Sequence, residues 1–399
     1  MFQSPKSKSR SACSPTTSPT VSMGQRLDAH NGWTSGFDYL RVVLAIAVIG
    51  WHSVFTSYGV YYEADVYASA IRPFLYPILP MFFALGGFLV TASLFRTKSF
   101  GEYLLLRVLR FFPALVVVVV ITAVVVGPLV TTDSLRAYFE SPKFFSYFLN
   151  AFGYFEAGLP GVFAENPTPD IVNVSLWTIP WEFGGSILLY GLVMCNETAR
   201  TKWLAIVSVA TMILLPILAV ATHNEATLYA RPPGHLLVLA MIGGVCFYYF
   251  RYRIPFNFVL FVISVVVSAL LCAKAKTAYF APIPITYATI YLGLLHPSRV
   301  WFMKRADLSY GIYLYGCVVQ QTLMFLVPAL RVWWANWIVA AWLSALCAAG
   351  SWYLIEGPIL RRKRQIIAGV LGTKASGPAT TGGRARAAVR PGGYNPIYD

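Results

Sequence analysis

From residue 37 onward the chain is a succession of apolar runs joined by short polar segments. Ten such runs fall at 37–57, 73–95, 105–131, 175–195, 202–222, 233–250, 255–272, 277–297, 308–328 and 333–355. Each has about the twenty residues a helix needs to cross a bilayer core. The pattern predicts an all-α integral membrane protein of about ten transmembrane helices. Residues 1–36 are rich in Ser, Pro, Thr and Lys and hold no long apolar core, so they are expected to be a disordered cytoplasmic tail, not a cleaved signal. Residues 357–399 are basic and rich in Gly, Ala and Pro, which predicts a second disordered cytoplasmic tail. The membrane domain is then 37–356.

Composition sharpens this picture. Of 399 residues, 57% are hydrophobic and only 12% are charged, whereas soluble domains carry about a quarter charged residues. The mean hydropathy of +0.61 excludes a soluble multidomain enzyme, a disordered chain and a disulfide-stapled module. The net charge of +15 would suggest nucleic acid in a soluble protein. Here most of it sits beside the apolar runs, so the expected partner is the lipid bilayer and not nucleic acid. Alternate joints carry 23 and 7 of the 31 Lys and Arg residues, with Arg41 inside the first run. That asymmetry predicts an even number of spans with both termini cytoplasmic. The six cysteines show no metal-type or paired spacing and are expected to be small apolar fillers.

One joint on the sparsely basic side is long. Residues 132–174 carry five acids and an aromatic stretch from Phe144 to Phe155. It predicts either an interfacial helix at the mouth of a site or a loop resting on the bilayer surface.

Ionisable side chains inside a span are costly and mark function by default. The first span, FDYLRVVLAIAVIGWHSVF, holds Asp38, Arg41 and His52. Eleven residues turn a helix through about 1100°, leaving Arg41 and His52 roughly 20° apart and about 16 Å apart along the axis. Asp38 shares that face three residues earlier. The fourth span opens NVSLWTIPWEF and carries Glu182. Its depth below the outer end agrees with that of His52 to within about 3–5 Å, so the two are expected to meet. They would form an acid/base pair, a structural buried pair or a proton relay. Arg107 and Arg110 lie on one face at the start of the third span, before Pro113. With Arg41 they would make a basic cytoplasmic mouth suited to phosphate oxygens, or serve only as anchors. Of the other histidines, His30 lies in the tail, His223 in a loop and His296 at a cytoplasmic helix end. His235 lies near the outer start of the sixth span, as an acceptor contact or a simple interfacial residue.

These residues resemble a known family. FDYLRVVLAIAVIGWHS is similar to the opening signature of the membrane acyltransferase-3 family, multi-pass and mostly bacterial O-acyltransferases of surface polysaccharides and related glycans. The family's Arg-x10-His pattern falls on Arg41 and His52. FFALGGFLVTASLF with SFGEYLLLRVLRFFPAL resembles its second block, through Arg107, Arg110 and Pro113. NVSLWTIPWEF matches its Asn-x-Ser-Leu-Trp-Thr block, here Asn173, Ser175, Trp177 and Glu182. DLSYGIYLYGCVVQQ and YLIEGPILRR match later blocks, around Ser309, Tyr310, Tyr313, Gln320 and Glu356. The chain departs from the pattern at Gly86 or Gly87, where relatives often have Ser, and near Gly316, where some have His. The 43-residue C-terminal segment is too short for the soluble domain some relatives append.

The resemblance implies an O-acyltransferase of the cell inner membrane that needs no tightly bound cofactor and no metal. Acyl-CoA, most often acetyl-CoA, would be the co-substrate, with its phosphates on Arg41, Arg107 and Arg110 beside Asp38. His52 would act as general base or carry an acyl group, with Glu182 orienting it. Asn173, Ser175, Trp177, Tyr310, Tyr313 and Glu356 would contact substrate. Trp177 and Trp181 either stack on a sugar or anchor the interface. The acceptor would be a carbohydrate hydroxyl, on a surface polysaccharide or a lipid-linked oligosaccharide. The competing class is a transporter or flippase that forms no ester. Oligomeric state is not legible in the sequence.

Overall fold

The computed structural model describes residues 21–95, 97, 99–194, 206, 209–218, 221, 231–301, 303 and 305–372. Among these there is no strand, only two isolated bridges, Ser22 with Pro255 and Thr131 with Val162. The helices are α1 (Met23–Asp28), α2 (Ser35–Tyr58), α3 (Val60–Ala68), α4 (Arg72–Leu75), α5 (Ile78–Leu94), α6 (Phe100–Ile121), α7 (Gly127–Val130), α8 (Leu135–Glu140), α9 (Pro142–Tyr147) and α10 (Ile179–Met194). They continue with α11 (Val209–Leu218), α12 (Gly234–Tyr249), α13 (Phe258–Cys272), α14 (Pro282–Gly293), α15 (Ser309–Leu326), α16 (Trp333–Ser351), α17 (Gly357–Arg361) and α18 (Lys363–Leu371). Among the described residues, four stretches are long and apolar enough to cross a membrane: Ser35–Tyr58, Arg72–Leu94, Phe100–Val130 and Trp333–Arg361. The other expected spans hold shorter helices, and 202–222 lies largely outside the described residues.

Two groups of helices pack side by side. In one, α2 lies against α15 and α16; in the other, α5 lies against α12 and α14. Without a hydrophobic drive between helices in lipid, close backbone approach does this work. A Cβ on Gly87 would stand 2.0 Å from the Met241 carbonyl oxygen, and one on Gly244 would stand 2.0 Å from that of Ala84. The α5–α12 contact therefore requires glycine at both positions. A Cβ on Gly316 would meet the Ile49 side chain at 2.8 Å, so a larger residue there requires Ile49 to shift.

Both expected tails are shorter than the sequence suggested. Residues 22–36 are folded: α1 begins with a Ser22–Gln25 capping box, and Met23 is fully buried in a cluster with Phe37, Leu40 and Phe88. His30 stacks on His296 at 4.3 Å, and Ser35 donates its backbone N–H to His296 Nδ1 at 3.2 Å. A helix start needs such acceptors. At the other end, α17 and α18 extend the chain helically to Leu371. Short helices of mostly polar and basic composition are not distinguished from tails by composition alone. Residues 1–20 and 373–399, Cys13, Cys195 and His223 lie outside the described residues.

The long joint is built into the fold. Tyr138, Phe144, Tyr147, Leu159, Phe163 and Val172 share one buried cluster with Ile49 of α2, Phe111 of α6 and Tyr313 of α15. After α6 the helix widens by one residue at Thr122–Val126, so Gly127 N–H reaches Thr122. Pro128 has no N–H to give Ala123, whose carbonyl instead accepts from Tyr138 Oη at 2.7 Å. Further on, Gln321 donates to the carbonyls of Thr168 and Ile171, and Thr168 Oγ1 donates to Phe55 O. These bonds fasten the 153–173 segment over the far end of α2. Phe163 and Asp170 take positive φ of 58° and 60° within it, a conformation costing roughly 1–3 kcal/mol that surrounding packing must enforce.

Candidate active site

The unbroken α2 carries both Arg41 and His52, so their eleven-residue stripe is realised on one straight element. Arg41 lines a cavity of about 760 Å³ bounded by α5, α6, α10, α15 and α18. Leu79 and Ser93 of α5 both face it, and fourteen residues of helix make it about 21 Å long. At one end lie Thr97, Glu102, Lys363 and Arg364; along it lie Arg107, Arg110, Glu182 and Tyr310; at the other end lie Thr178 and Tyr313.

That second end adjoins His52. Tyr313 Oη is 2.7 Å from Thr178 Oγ1 and donates to Ser175 O at 3.0 Å. Ser175 Oγ in turn lies 3.5 Å from His52 Nδ1, and Phe55 meets the imidazole edge to face. Ser175 is held by its own local turn. Asn173 caps the short 3-10 helix Val174–Thr178, accepting from Ser175 N at 3.2 Å while its Nδ2 donates to Leu314 O at 2.9 Å. Asn173 is wholly buried and acts through this turn, so its place is beneath the site and not in the cavity.

The arginines are arranged with carboxylates. Arg110 donates to Asp307 at 2.6 Å and faces Glu356 at 3.7 Å. Arg41 meets Asp307 at 3.5 Å. Arg107 donates to Ser186 Oγ at 2.8 Å and packs over Phe111. A second widened turn, Trp352–Glu356, precedes Gly357 and brings Glu356 Oε1 to Ser351 Oγ at 3.0 Å. Tyr310 Oη donates to Phe111 O at 3.1 Å, with the Arg110 guanidinium over its ring.

The structure gives four of the expected site residues other neighbours. Glu182 stands in electrostatic reach of Arg107, Arg41 and Arg110, whereas the hydrogen-bond partner described for the His52 ring is Ser175. The helix α10 begins at Ile179 after the 3-10 turn, which puts Glu182 one turn nearer the arginines than Thr178. Asp38 pairs with Arg299 at 2.6 Å and borders a separate apolar cavity of about 430 Å³, away from the arginine cavity. Trp177 lies under the Arg231 guanidinium at 4.8 Å. His235 Nε2 is bonded to Tyr279 Oη at 2.8 Å. Asp307 is not marked by any span periodicity, although three clustered arginines in a membrane domain call for countercharges. It is the acid that opens the DLSYGIY block.

The acyltransferase domain family matches residues 34–356. Nodulation protein 10 of Rhizobium leguminosarum bv. viciae is 26% identical over 384 residues, covering 87% of this chain and 98% of its own. An O-acetyl transferase of Shigella phage Sf6 is 24% identical over 353 residues, covering 82% of this chain and 96% of its own. No solved structure gives a significant match.

Proposed function

The chain belongs to the membrane acyltransferase-3 family, and from that premise we propose that it moves an acyl group, acetyl in the first instance, from cytoplasmic acyl-CoA to a carbohydrate hydroxyl on the far side of the membrane. The relative that bears the name O-acetyl transferase makes acetyl the first candidate. The observation that carries the reading is the cavity. It runs from a basic end to the Thr178–Tyr313 pair, and one residue, Ser175, joins that pair to His52. A phosphorylated donor entering at the basic end would send its acyl arm along the cavity toward His52, over a distance comparable to the ~16 Å between Arg41 and His52.

In this mechanism Ser175 holds His52 through Nδ1, and Nε2 faces the acceptor. Nε2 takes the hydroxyl proton as the acceptor oxygen attacks the thioester carbonyl. The C–S bond then breaks, and the departing thiolate recovers the proton from His52. Arg107, Arg110 and Arg41, balanced by Asp307, Glu356 and Glu182, hold the donor's polar groups. Ping-pong kinetics would instead mark an acyl group carried on His52. The acceptor would be a surface polysaccharide or a lipid-linked oligosaccharide in an inner membrane.

The test is loss and rescue. Base-labile acyl esters on surface glycans are measured by mass spectrometry in a deletion strain complemented with wild type or His52→Ala. Esters should return with wild type alone, and the mass lost identifies the acyl group. Full ester content with a membrane-inserted His52→Ala protein would overturn the mechanism. A transporter would transfer no acyl group and release no CoA.

A further inference from the structure

Away from the arginine cavity, one cation is buried without an acid beside it. Arg72 opens α4 and is only 7% exposed. Its Nε donates at 2.9 Å to the carbonyl of Cys272, the last residue of α13. Its guanidinium stands over two tyrosine rings, 5.3 Å from the centre of Tyr67 and 5.4 Å from that of Tyr76. Both tyrosines are buried as well, at 4% and 1% exposed. They share an apolar cluster with Leu236, Ala278 and Ile285.

Three polar atoms in this place are buried and without a hydrogen-bond partner among the described residues: Arg72 Nη2, Tyr67 Oη and Tyr76 Oη. The three groups stand within electrostatic reach of one another. None of the ion pairs among the described residues includes Arg72. Glu63 is in reach of Tyr67, but the cation that acts on it is Arg231. A helix C-terminus carries about half a negative charge, so the end of α13 offsets only part of the guanidinium, and the ring faces add a little more. A charge left uncompensated away from water is costly. Water would complete the three hydrogen bonds and leave the charge as it is. An anion would do both, since guanidinium N–H and phenol O–H groups all donate.

We propose that Arg72, Tyr67 and Tyr76 bind one small monovalent anion, chloride in the first instance, between α3, α4 and the C-terminal end of α13. One cation balances one charge, and groups this enclosed fit a monatomic ion better than a phosphate or a sugar acid. The ion would tie α3 to α4 and α13. Tyr67 also rests on Trp51, the residue before His52, at 5.5 Å, so the ion would brace the packing behind the His52 turn without touching reactants.

The experiment melts the full-length chain in detergent and sodium gluconate, with chloride replacing gluconate at constant ionic strength. Tm should rise along a saturating curve, by about 4 °C once chloride reaches a hundredfold excess over its Kd. Tyr67→Phe/Tyr76→Phe keeps both rings and Arg72 and removes the two hydroxyls. Its half-saturating chloride concentration should be about tenfold higher than that of wild type. Arg72→Gln should abolish the curve, and if that variant does not fold, the double variant still decides. A wild-type Tm indifferent to the exchange would mean that water alone completes these bonds, and would overturn the proposal. The same chloride curve in wild type and the double variant would place the ion on other cations and would overturn it too. Neither readout involves acyl transfer.

Discussion

At the residue scale, charge is placed where it can be balanced, and the exceptions are informative. Asp307 is the countercharge for two arginines, with its side chain 10% exposed and that of Arg110 21% exposed. Removing one partner of a fully buried pair costs about 3–5 kcal/mol, and partial exposure discounts that. Asp307→Asn is expected to lower Tm by several degrees in detergent and to weaken donor use. A Tm equal to wild type would show that Glu356 and solvent already satisfy the arginines. Glu63, on α3 between two spans, behaves differently. Burial pushes its carboxyl up to about 8, against an opposing pull from Arg231. Between the ordinary value of 4.5 and about 8, the folded chain holds a proton that the unfolded chain has released. Stability therefore falls as pH rises through that window. Glu63→Gln removes this dependence, so its Tm advantage over wild type should be near zero at pH 4.5 and largest near pH 8. A pH-independent difference would refute the assignment.

At the scale of elements, much was legible because helix periodicity is strict within one segment and silent between segments. The Arg41–His52 stripe needed only an unbroken α2. The meeting of His52 with Glu182 needed the rotation of α10 about its own axis, and that depends on the 3-10 turn at Val174–Thr178, which no hydropathy pattern reveals. The aromatic run after Phe144 could be read as interfacial, yet Tyr138 and Tyr147 are fully buried because the joint also satisfies a carbonyl left open by Pro128. Paired glycines show the same limit. Gly86 and Gly87 look equivalent in sequence, but Gly87 faces the Met241 backbone while the nearest atom to a Cβ on Gly86 is 4.0 Å away. Gly87→Ala is expected to separate α5 from α12 and to lower the yield of folded protein sharply. Gly86→Ala should insert and fold normally, changing only the cavity wall. Comparable yields and thermal midpoints for the two would show that α12 can shift to accept a methyl group.

At the scale of the whole molecule, the arrangement requires a direction. Lys363 and Arg364 line the cavity with Glu102 and Arg107, while His52 sits about sixteen Å further along α2 than Arg41, toward the end covered by residues 153–173. The proposed reaction therefore needs α18 on the cytoplasmic side and the covering segment on the other. The 23-to-7 distribution of basic residues points the same way. Ten spans and cytoplasmic termini would satisfy both requirements, whereas an odd number of spans would put one terminus outside. A fluorescent protein that matures only in the cytoplasm, fused after Asp399, is expected to glow. Alkaline phosphatase fused within the exposed Leu135–Glu140 helix should be active, since that enzyme folds only outside. A dark fusion after Asp399 with an active phosphatase would imply an even number of spans between the two sites and would place α18 outside the cell. Inactivity at residues 135–140 would put the His52 end in the cytoplasm. Either result would leave the cavity facing the wrong way for a cytoplasmic thioester.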